Sequence, residues 1–427
     1  MKLPDDVRYI LSQLKEHGYE GYIVGGCVRD SLLGVQPHDY DLTTNATPDQ
    51  MHEIFPHYSD TGIKHGTVTI IIGHNGYELT TYRREGSYSD HRHPDEVSFA
   101  STLKDDLSRR DFTINAMAAD EDNVIDYYGG QVDLKAGIIR AVGDPYVRFE
   151  EDSLRILRAI RFASRLNFEV EEKTREAIMA RREDLKYISS ERIYKEFAEI
   201  LCSERVDYYL QQYAEVFAVF MPELARMFDF PQNNRYHIYD LWQHSLKVTA
   251  LVSPKIALRW AALLHDIGKV DTLSHGEDGQ DHYYGHAAVS AKIARQILQR
   301  LKCDRKTENE VIALIRNHEQ LPKARRLLNK MGDYSLDLIE LKKADNQAQN
   351  PLYDESEKYD QLKAEVLELI ASQSAVSIKD LKINGNDLRA LGYEGKAIGD
   401  KLNEIMDRVL DGYPNEREEL LKLIKRG

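Results

Sequence analysis

The stretch across residues 22–44 constrains this chain more than any other. Tyr22, Ile23 and Val24 are strand formers, Gly25 and Gly26 follow them, and Asp39 and Asp41 stand two apart just before Leu42, Thr43 and Thr44. Read in order, this is a strand, a glycine turn, one short helix and a second strand. The paired glycines let the backbone turn tightly and bring free N–H groups close to phosphate oxygens. With residues 40–43 extended, the two carboxylates project from one face, about 7 Å apart by strand rise. Magnesium takes oxygen ligands and bridges one or two carboxylates to substrate phosphates. Two such ions activate the attacking oxygen and stabilise the leaving one. The pattern predicts phosphoryl or nucleotidyl transfer.

Gly25-Gly26-x-x-Arg29-Asp30 followed by Asp39-x-Asp41 resembles the catalytic motif of the class II tRNA nucleotidyltransferases (CCA-adding enzymes) and bacterial poly(A) polymerases, within the polymerase-β-like nucleotidyltransferases. The resemblance implies that Asp39 and Asp41 are catalytic and hold Mg²⁺, and that Gly25, Gly26 and Arg29 bind the nucleotide. Residues 109–117 match the family's second motif, which assigns Arg109, Arg110, Asp111 and Asn115 to the nucleotide sugar and phosphates. Tyr128-Gly129-Gly130 with Asp133-Leu134 is similar to the third motif. Residues 151–162 resemble the fourth, which reads the incoming base, and residues 190–197 the fifth, a packing and capping element.

Arg155, Arg158, Arg161 and Arg165 recur at spacings of 3, 3 and 4, and so share one helix face, on which Asp152 is also expected. Cytosine and adenine each offer an amino donor beside an unprotonated ring nitrogen, whereas uracil and guanine offer a carbonyl beside a protonated one. A carboxylate next to a guanidinium complements the first pattern only. Asp152 and Arg155 are the expected pair.

Hairpin spacing appears at residues 67–72 and 77–82 around a turn at His74-Asn75-Gly76. Glu78 alternates with Thr80 and Tyr82, so it either faces the aspartates as a third carboxylate or stands solvated. Val7, Ile10, Leu11 and Leu14 mark a helix over residues 4–18. Residues 45–55 read as another, with Thr47 as N-cap, Pro48 first and Asp49 in a capping box. Residues 83–108 lack a strong period and read as a long functional loop. It is expected to move as the enzyme passes from C to A.

The second half carries His244, His265-Asp266, His286, His318 and Asp345. Imidazole with carboxylate suits a divalent transition metal, or Mg²⁺ with more oxygen ligands. The set resembles the HD phosphohydrolase domain, which implies His244, His265, Asp266 and Asp345 as metal ligands, with His286 and His318 serving a second ion. Residues 383–402, with a modest basic end at Lys422, Lys425 and Arg426, look like the family's helical tail.

At 427 residues the chain exceeds one core, and roughly three domains are expected. A net charge of −14 opposes indiscriminate nucleic-acid binding, so RNA contacts must use local basic surfaces. Three scattered cysteines indicate neither disulfides nor a cysteine zinc site. There is no run of 18 apolar residues and no signal-like N-terminus. The expectation is a cytoplasmic protein without membrane contact, its oligomeric state left open.

The fold expected is α+β: a nucleotidyltransferase head (1–140) with a small mixed sheet, a helical neck (141–225), an HD body (226–350) and a tRNA-binding tail (351–427). The expected function is template-free transfer of C, C and A from CTP and ATP to the tRNA 3′ end, with an accessory phosphohydrolase activity. Poly(A) polymerases resembling this head carry a basic Gly-Arg-Arg-Phe-type element. Residues 61–68, Thr-Gly-Ile-Lys-His-Gly-Thr-Val, look instead like the tRNA-specific branch. An enzyme adding A alone, a poly(A) polymerase, and a protein acting chiefly as an HD metal phosphohydrolase are the alternatives.

Overall fold

The computed structural model describes residues 1–63, 66–85, 97–99, 102–277 and 279–425. Strand β1 (Gly21–Val24) runs into Gly25 and the helix Gly26–Leu32, and β2 (Asp41–Thr44) returns antiparallel with Val24 opposite Asp41. Next come β3 (Tyr58–Gly62), β4 (Thr67–Ile72), β5 (Asn75–Thr81), the small pair β6 (Arg83–Glu85) and β7 (Val97–Phe99), then β8 (Met117–Ala119) and β9 (Val124–Asp126). The main sheet has the order β3-β4-β5-β2-β1-β8-β9. Its β2–β5 pair is parallel and the other neighbours are antiparallel.

Period-two burial explains the sheet: Val68 and Ile70 point inward from β4 while Ile71 faces solvent, and Ile23, Leu42 and Leu79 complete the buried face. The helix Asp5–Glu16 packs beside β1 and buries Val7, Ile10 and Leu14, each worth about 1.5–3 kcal/mol when fully removed from water.

Four local expectations need correction. The β4–β5 turn is Gly73-His74, because Ile72 already pairs with Asn75 and Gly73 supplies the positive φ (61°) that glycine favours at the first position of a two-residue hairpin. The helix in residues 45–55 is shorter, Pro48–Ile54. The capping partner of Thr47 is Gln50, three residues on, rather than Asp49. Residues 83–108 are not all loop: β6 pairs with β7, and Thr102 caps a helix, Leu103–Ser108, that buries Leu103 and Leu107. Finally, Asp152 lies on no helix. It is extended (φ −138°, ψ 101°) between the helices Pro145–Glu151 and Leu154–Leu166, so it does not share a helix face with the arginines.

Residues 86–96 and 100–101 of the expected mobile segment, Lys64 and His65 of residues 61–68, and Arg426 of the basic end lie outside the described residues.

The chain forms two units, Met1–Phe220 and Met221–Gly427. The first joins the sheet to helices that include Leu154–Leu166 and Ser190–Leu201, which pack together. The second is helical apart from one two-stranded ribbon among its described residues. Trp260, Leu263 and Leu264 centre its core, while Ile383, Leu388, Ile405, Val409 and Leu420 form a separate cluster near the C-terminus. Among the described residues no helix is long and apolar enough to cross a membrane.

Candidate active site of the head and a candidate metal centre

Asp39 precedes β2 and Asp41 begins it; both are exposed. With Glu78 of β5 they line one open cleft of about 690 Å³, shared with His38, His74 and Tyr77. The parallel pairing of β2 with β5 brings Glu78 to the same cleft as the aspartates, where it is also exposed to solvent. Desolvation by surrounding protein raises the Asp41 carboxyl above its ordinary range; the Arg110 guanidinium opposes this and Asp39 adds to it. Carboxylate oxygens lining an open cleft are the donor set a hard divalent cation takes.

Gly25 turns the chain at φ 78°, ψ −130°, a conformation that glycine reaches and other residues rarely do. A Cβ there would lie 2.9 Å from Arg110 Nη1. The turn thus gives Arg110 its room. Arg110 and Arg109 are both held by Asp106, a fully buried carboxylate: Arg109 donates through Nε (3.0 Å) and Nη2 (2.9 Å), and Arg110 Nη2 lies at 3.6 Å. Asp106 also accepts from Thr43 Oγ1 of β2 (3.4 Å). Sequence reasoning passed over Asp106, although Asp-x-x-Arg-Arg places both arginines within helical reach of it.

Four of the other expected nucleotide-binding residues form a relay, buried except at Arg158. Arg29 Nη1 donates to Asn115 Oδ1 (2.7 Å), Asn115 Nδ2 to Asp111 Oδ1 (3.1 Å), and Arg158 Nε to Asp111 Oδ2 (2.9 Å). Burial opposes ionisation of Asp111, but Arg158 and Asn115 prevail and hold it at about 2. Arg29, Arg158 and Arg161 surround the Phe162 ring at 5.2, 5.3 and 4.3 Å. The relay fastens the glycine-turn helix to the arginine-bearing helix through charge-assisted bonds.

The structure does not bring Asp152 and Arg155 together. Arg155 donates to Glu151 Oε2 (2.6 Å) and to the carbonyls of Arg148 (3.1 Å) and Arg109 (3.0 Å). Asp152 instead accepts from Leu154 N (3.1 Å) and from Arg192 Nη2. Arg161 pairs with Glu196.

In the second unit, His244, His265, Asp266, Asp345, His286 and His318 converge, all buried. Asp266 Oδ2 faces His265 Nε2 (3.2 Å) and His244 Nε2 (3.5 Å), and Oδ1 faces His286 Nε2 (3.0 Å) and His318 Nε2 (3.5 Å). Asp345 Oδ1 lies 3.3 Å from His244 Nε2. Each of the four imidazoles donates its Nδ1–H to a backbone carbonyl: Ala348, Ala262, Tyr283 and Ile315 for His244, His265, His286 and His318. Such outer bonds fix the tautomer that presents Nε2 as a ligand.

Nε2 of His244 and of His265 is buried with no hydrogen-bond partner. These two unpaired nitrogens converge on the Asp266 and Asp345 oxygens, an arrangement a divalent cation satisfies. Burial would raise the Asp266 carboxyl, but His265 and Lys269 hold it well below its ordinary range. Asp345 is likewise held low, against burial, by His244 and Lys342.

Lys269 and His237 belong to this centre and escaped sequence reasoning. Lys269 Nζ donates to Asp266 Oδ2 (2.6 Å), Gln232 Oε1 (2.9 Å) and His237 Nε2 (3.1 Å), which uses all three of its protons. Burial and the Lys269 charge push His237 down to about 3. The centre opens on a cavity of about 610 Å³ whose rim includes Tyr236, Tyr283 and Tyr284.

Residues 21–140 match the family model for the Poly A polymerase head domain, 167–228 that for a probable RNA and SrmB-binding site of polymerase A, and 241–349 the HD domain. A CCA-adding enzyme of Lactobacillus helveticus (strain DPC 4571) is 51% identical over 203 residues, 47% of this chain and 51% of that enzyme. Over this and several similar matches the chain spans about half the length of the relative. A CCA-adding enzyme of Ligilactobacillus salivarius (strain UCC118) is 33% identical over 443 aligned positions, 99% of this chain and 97% of that enzyme. The crystal structure of the Bacillus stearothermophilus CCA-adding enzyme in complex with CTP superposes with a TM-score of 0.75 at 29% identity, covering 100% of this chain and 98% of that one. The Thermotoga maritima CCA-adding enzyme complexed with tRNA shares the fold, with a TM-score of 0.65 at 23% identity over 99% of this chain and 94% of that one. Matched end to end by a relative of this identity, the chain belongs to the family of CCA-adding enzymes, nucleotidyltransferases built as an α+β head followed by helices.

Proposed function

We propose that this chain completes the tRNA 3′ end by transferring C, C and A from CTP and ATP without a nucleic-acid template. The observation that carries the reading is the single cleft shared by Asp39, Asp41 and Glu78, next to the Gly25 turn that Arg110 packs against. Asp39 and Asp41 would hold Mg²⁺, which supplies charge neutralisation at the phosphates and a more nucleophilic 3′ oxygen. The amides that follow Gly25 receive phosphate oxygens. Arg110 places positive charge behind them, and Asp106 keeps that charge aimed. The relay from Arg29 through Asn115 and Asp111 to Arg158 holds the glycine turn at a fixed distance from the base-reading region. Asp152 faces the exocyclic amino group of cytosine or adenine. Division into a head (1–140), neck (141–225), HD body (226–350) and tRNA-binding tail (351–427) belongs to this reading, as does action in the cytoplasm. Asp39→Ala and Asp41→Ala should each abolish addition in single-turnover assays while tRNA binding persists. Normal turnover in both variants would sink the proposed site.

A second activity is favoured by the unpaired Nε2 atoms of His244 and His265. The centre would bind a divalent metal through His244, His265, Asp266 and Asp345, with His286 and His318 on the other oxygen of Asp266 placed for a second ion. A bound metal supplies a Lewis acid and an acidified water, the requirements for phosphate-ester hydrolysis. Lys269 keeps Asp266 ionised and oriented. Metal-dependent release of phosphate from 2′,3′-cyclic or 2′-phosphorylated nucleotides tests it; no release with any divalent ion would contradict it.

A further inference from the structure

The fifth motif has so far been given only a packing role. Its helix, Ser190–Leu201, sends two charged side chains one turn apart to the neighbouring base-reading region: Glu196 pairs with Arg161, and Arg192 reaches Asp152. We propose that Arg192 is a positioning residue for base selection, holding the Asp152 carboxylate in the one orientation that accepts an amino group from the incoming base. The proposal rests on the reading of Asp152 as the base-facing carboxylate.

Three observations support it. Asp152 is extended between two helices, so no helical backbone fixes its side-chain direction, and an unrestrained carboxylate could turn or admit water between itself and a base. Its two oxygens are instead tied. Oδ1 accepts from Leu154 N at 3.1 Å, and Arg192 Nη2 lies 3.1 Å from Oδ2 and 3.4 Å from Oδ1. Both side chains keep partial access to solvent, 25% for Arg192 and 18% for Asp152, so the pair borders open space rather than a sealed core.

The second observation concerns Arg155, the guanidinium nearer in sequence. It is engaged by Glu151 and by the carbonyls of Arg148 and Arg109, which leaves Arg192, 40 residues after Asp152, as the cation in contact with that carboxylate among the described residues.

The third is Arg192 Nη1, which is buried and has no hydrogen-bond partner. A buried unpaired donor costs stability, so the guanidinium is held in place by its Nη2 contact with Asp152. Held against the guanidinium, the Asp152 carboxylate stays aimed as an acceptor at the amino group that cytosine and adenine share. With the carboxylate fixed, uracil or guanine would bring a carbonyl against an acceptor; with it loose, a water or a rotated carboxylate relieves that clash.

The test measures CTP, ATP and UTP incorporation separately in Arg192→Ala, Arg192→Lys, Asp152→Ala and the Arg192→Ala/Asp152→Ala double variant, with thermal melting of each. Arg192→Ala should raise UTP use relative to CTP by about tenfold, the scale of one lost bidentate base contact. It should lower kcat/KM for CTP and ATP together, and Arg192→Lys should recover part of the selectivity. The double variant should be no less selective than Asp152→Ala alone, since the arginine acts through the aspartate.

Selectivity unchanged in Arg192→Ala while Asp152→Ala loses it would overturn the proposal and leave the base-reading role of Asp152 standing. Selectivity unchanged in both would overturn both. A uniform loss with all nucleotides that tracks a lowered melting temperature and is not rescued by Arg192→Lys would make Arg192 a structural clamp and would also overturn the proposal.

Discussion

Replacing Asp106 by Ala should loosen the head more than any single change at its surface. Asp106 is fully buried, receives two hydrogen bonds from Arg109 and one from Thr43, and lies 3.6 Å from Arg110. Removing one partner of a buried ion pair costs about 3–5 kcal/mol, because the remaining charge loses its compensation. Here the Arg109 and Arg110 side chains keep 16% and 18% of their exposure, so water recovers part of the loss and about 3 kcal/mol is expected. That is roughly a hundredfold increase in the open population of the head. Asp106→Asn keeps an acceptor and should cost about half as much. Both tryptophans, Trp242 and Trp260, lie beyond residue 220, so their fluorescence follows the second unit alone. Hydrogen exchange of amides in β1, β2 and β8 follows the head. The account predicts faster exchange in those strands at an unchanged tryptophan transition. Exchange accelerated by less than threefold, against the predicted hundredfold, with full nucleotide addition, would refute the view that Asp106 organises the two arginines.

Asp111 carries an acid dependence. Its pKa falls from an ordinary 3.8 to about 2 on folding, so the folded state prefers the ionised form. The resulting stabilisation, on the order of 2 kcal/mol, is fully present above pH 4 and is lost as pH falls toward 2. Asp111→Asn should flatten the acid-unfolding profile of the head in that window; an unchanged profile would remove the Arg158–Asp111 pair from the account. In the second unit, His265→Ala combined with Asp266→Ala should abolish divalent metal measured on the full chain by mass spectrometry without reducing nucleotide addition. Equal metal content in parent and variant would remove the ligand assignment.

Legibility in the sequence followed locality. The glycine turn and the Asp-x-Asp were readable because strand propensity, turn chemistry and carboxylate spacing all act within 23 residues, and β1, the short helix and β2 formed in that order. The histidines and aspartates of the second unit were gathered into one centre through their resemblance to the HD domain, whose residues occur in the same order. Charge partners set by tertiary packing were not readable. Arg155 and Asp152 are three apart, yet Asp152 turned out to be extended, and the partner of each lies elsewhere: Glu151 for one and Arg192 for the other. A helix face drawn from spacing assumes that the helix has already begun; it begins at Leu154. His237 and Lys269 were overlooked for a similar reason. Their contact spans 32 residues, and nothing local marks His237 as a neighbour of the metal ligands; Lys269 has a local mark, its place three residues after Asp266. Gly73 rather than Gly76 makes the hairpin turn because register across β4 and β5, not glycine content, decides which residue must take positive φ.

The most direct measurement supplies the purified chain with three tRNAs, ending before CCA, after C and after CC, together with CTP and ATP, and sequences the 3′ ends. The account predicts that all three finish as CCA, that omission of ATP stops each at CC, and that UTP and GTP add nothing. Growth of long A tracts, or extension of only the tRNA that already ends in CC, would contradict it.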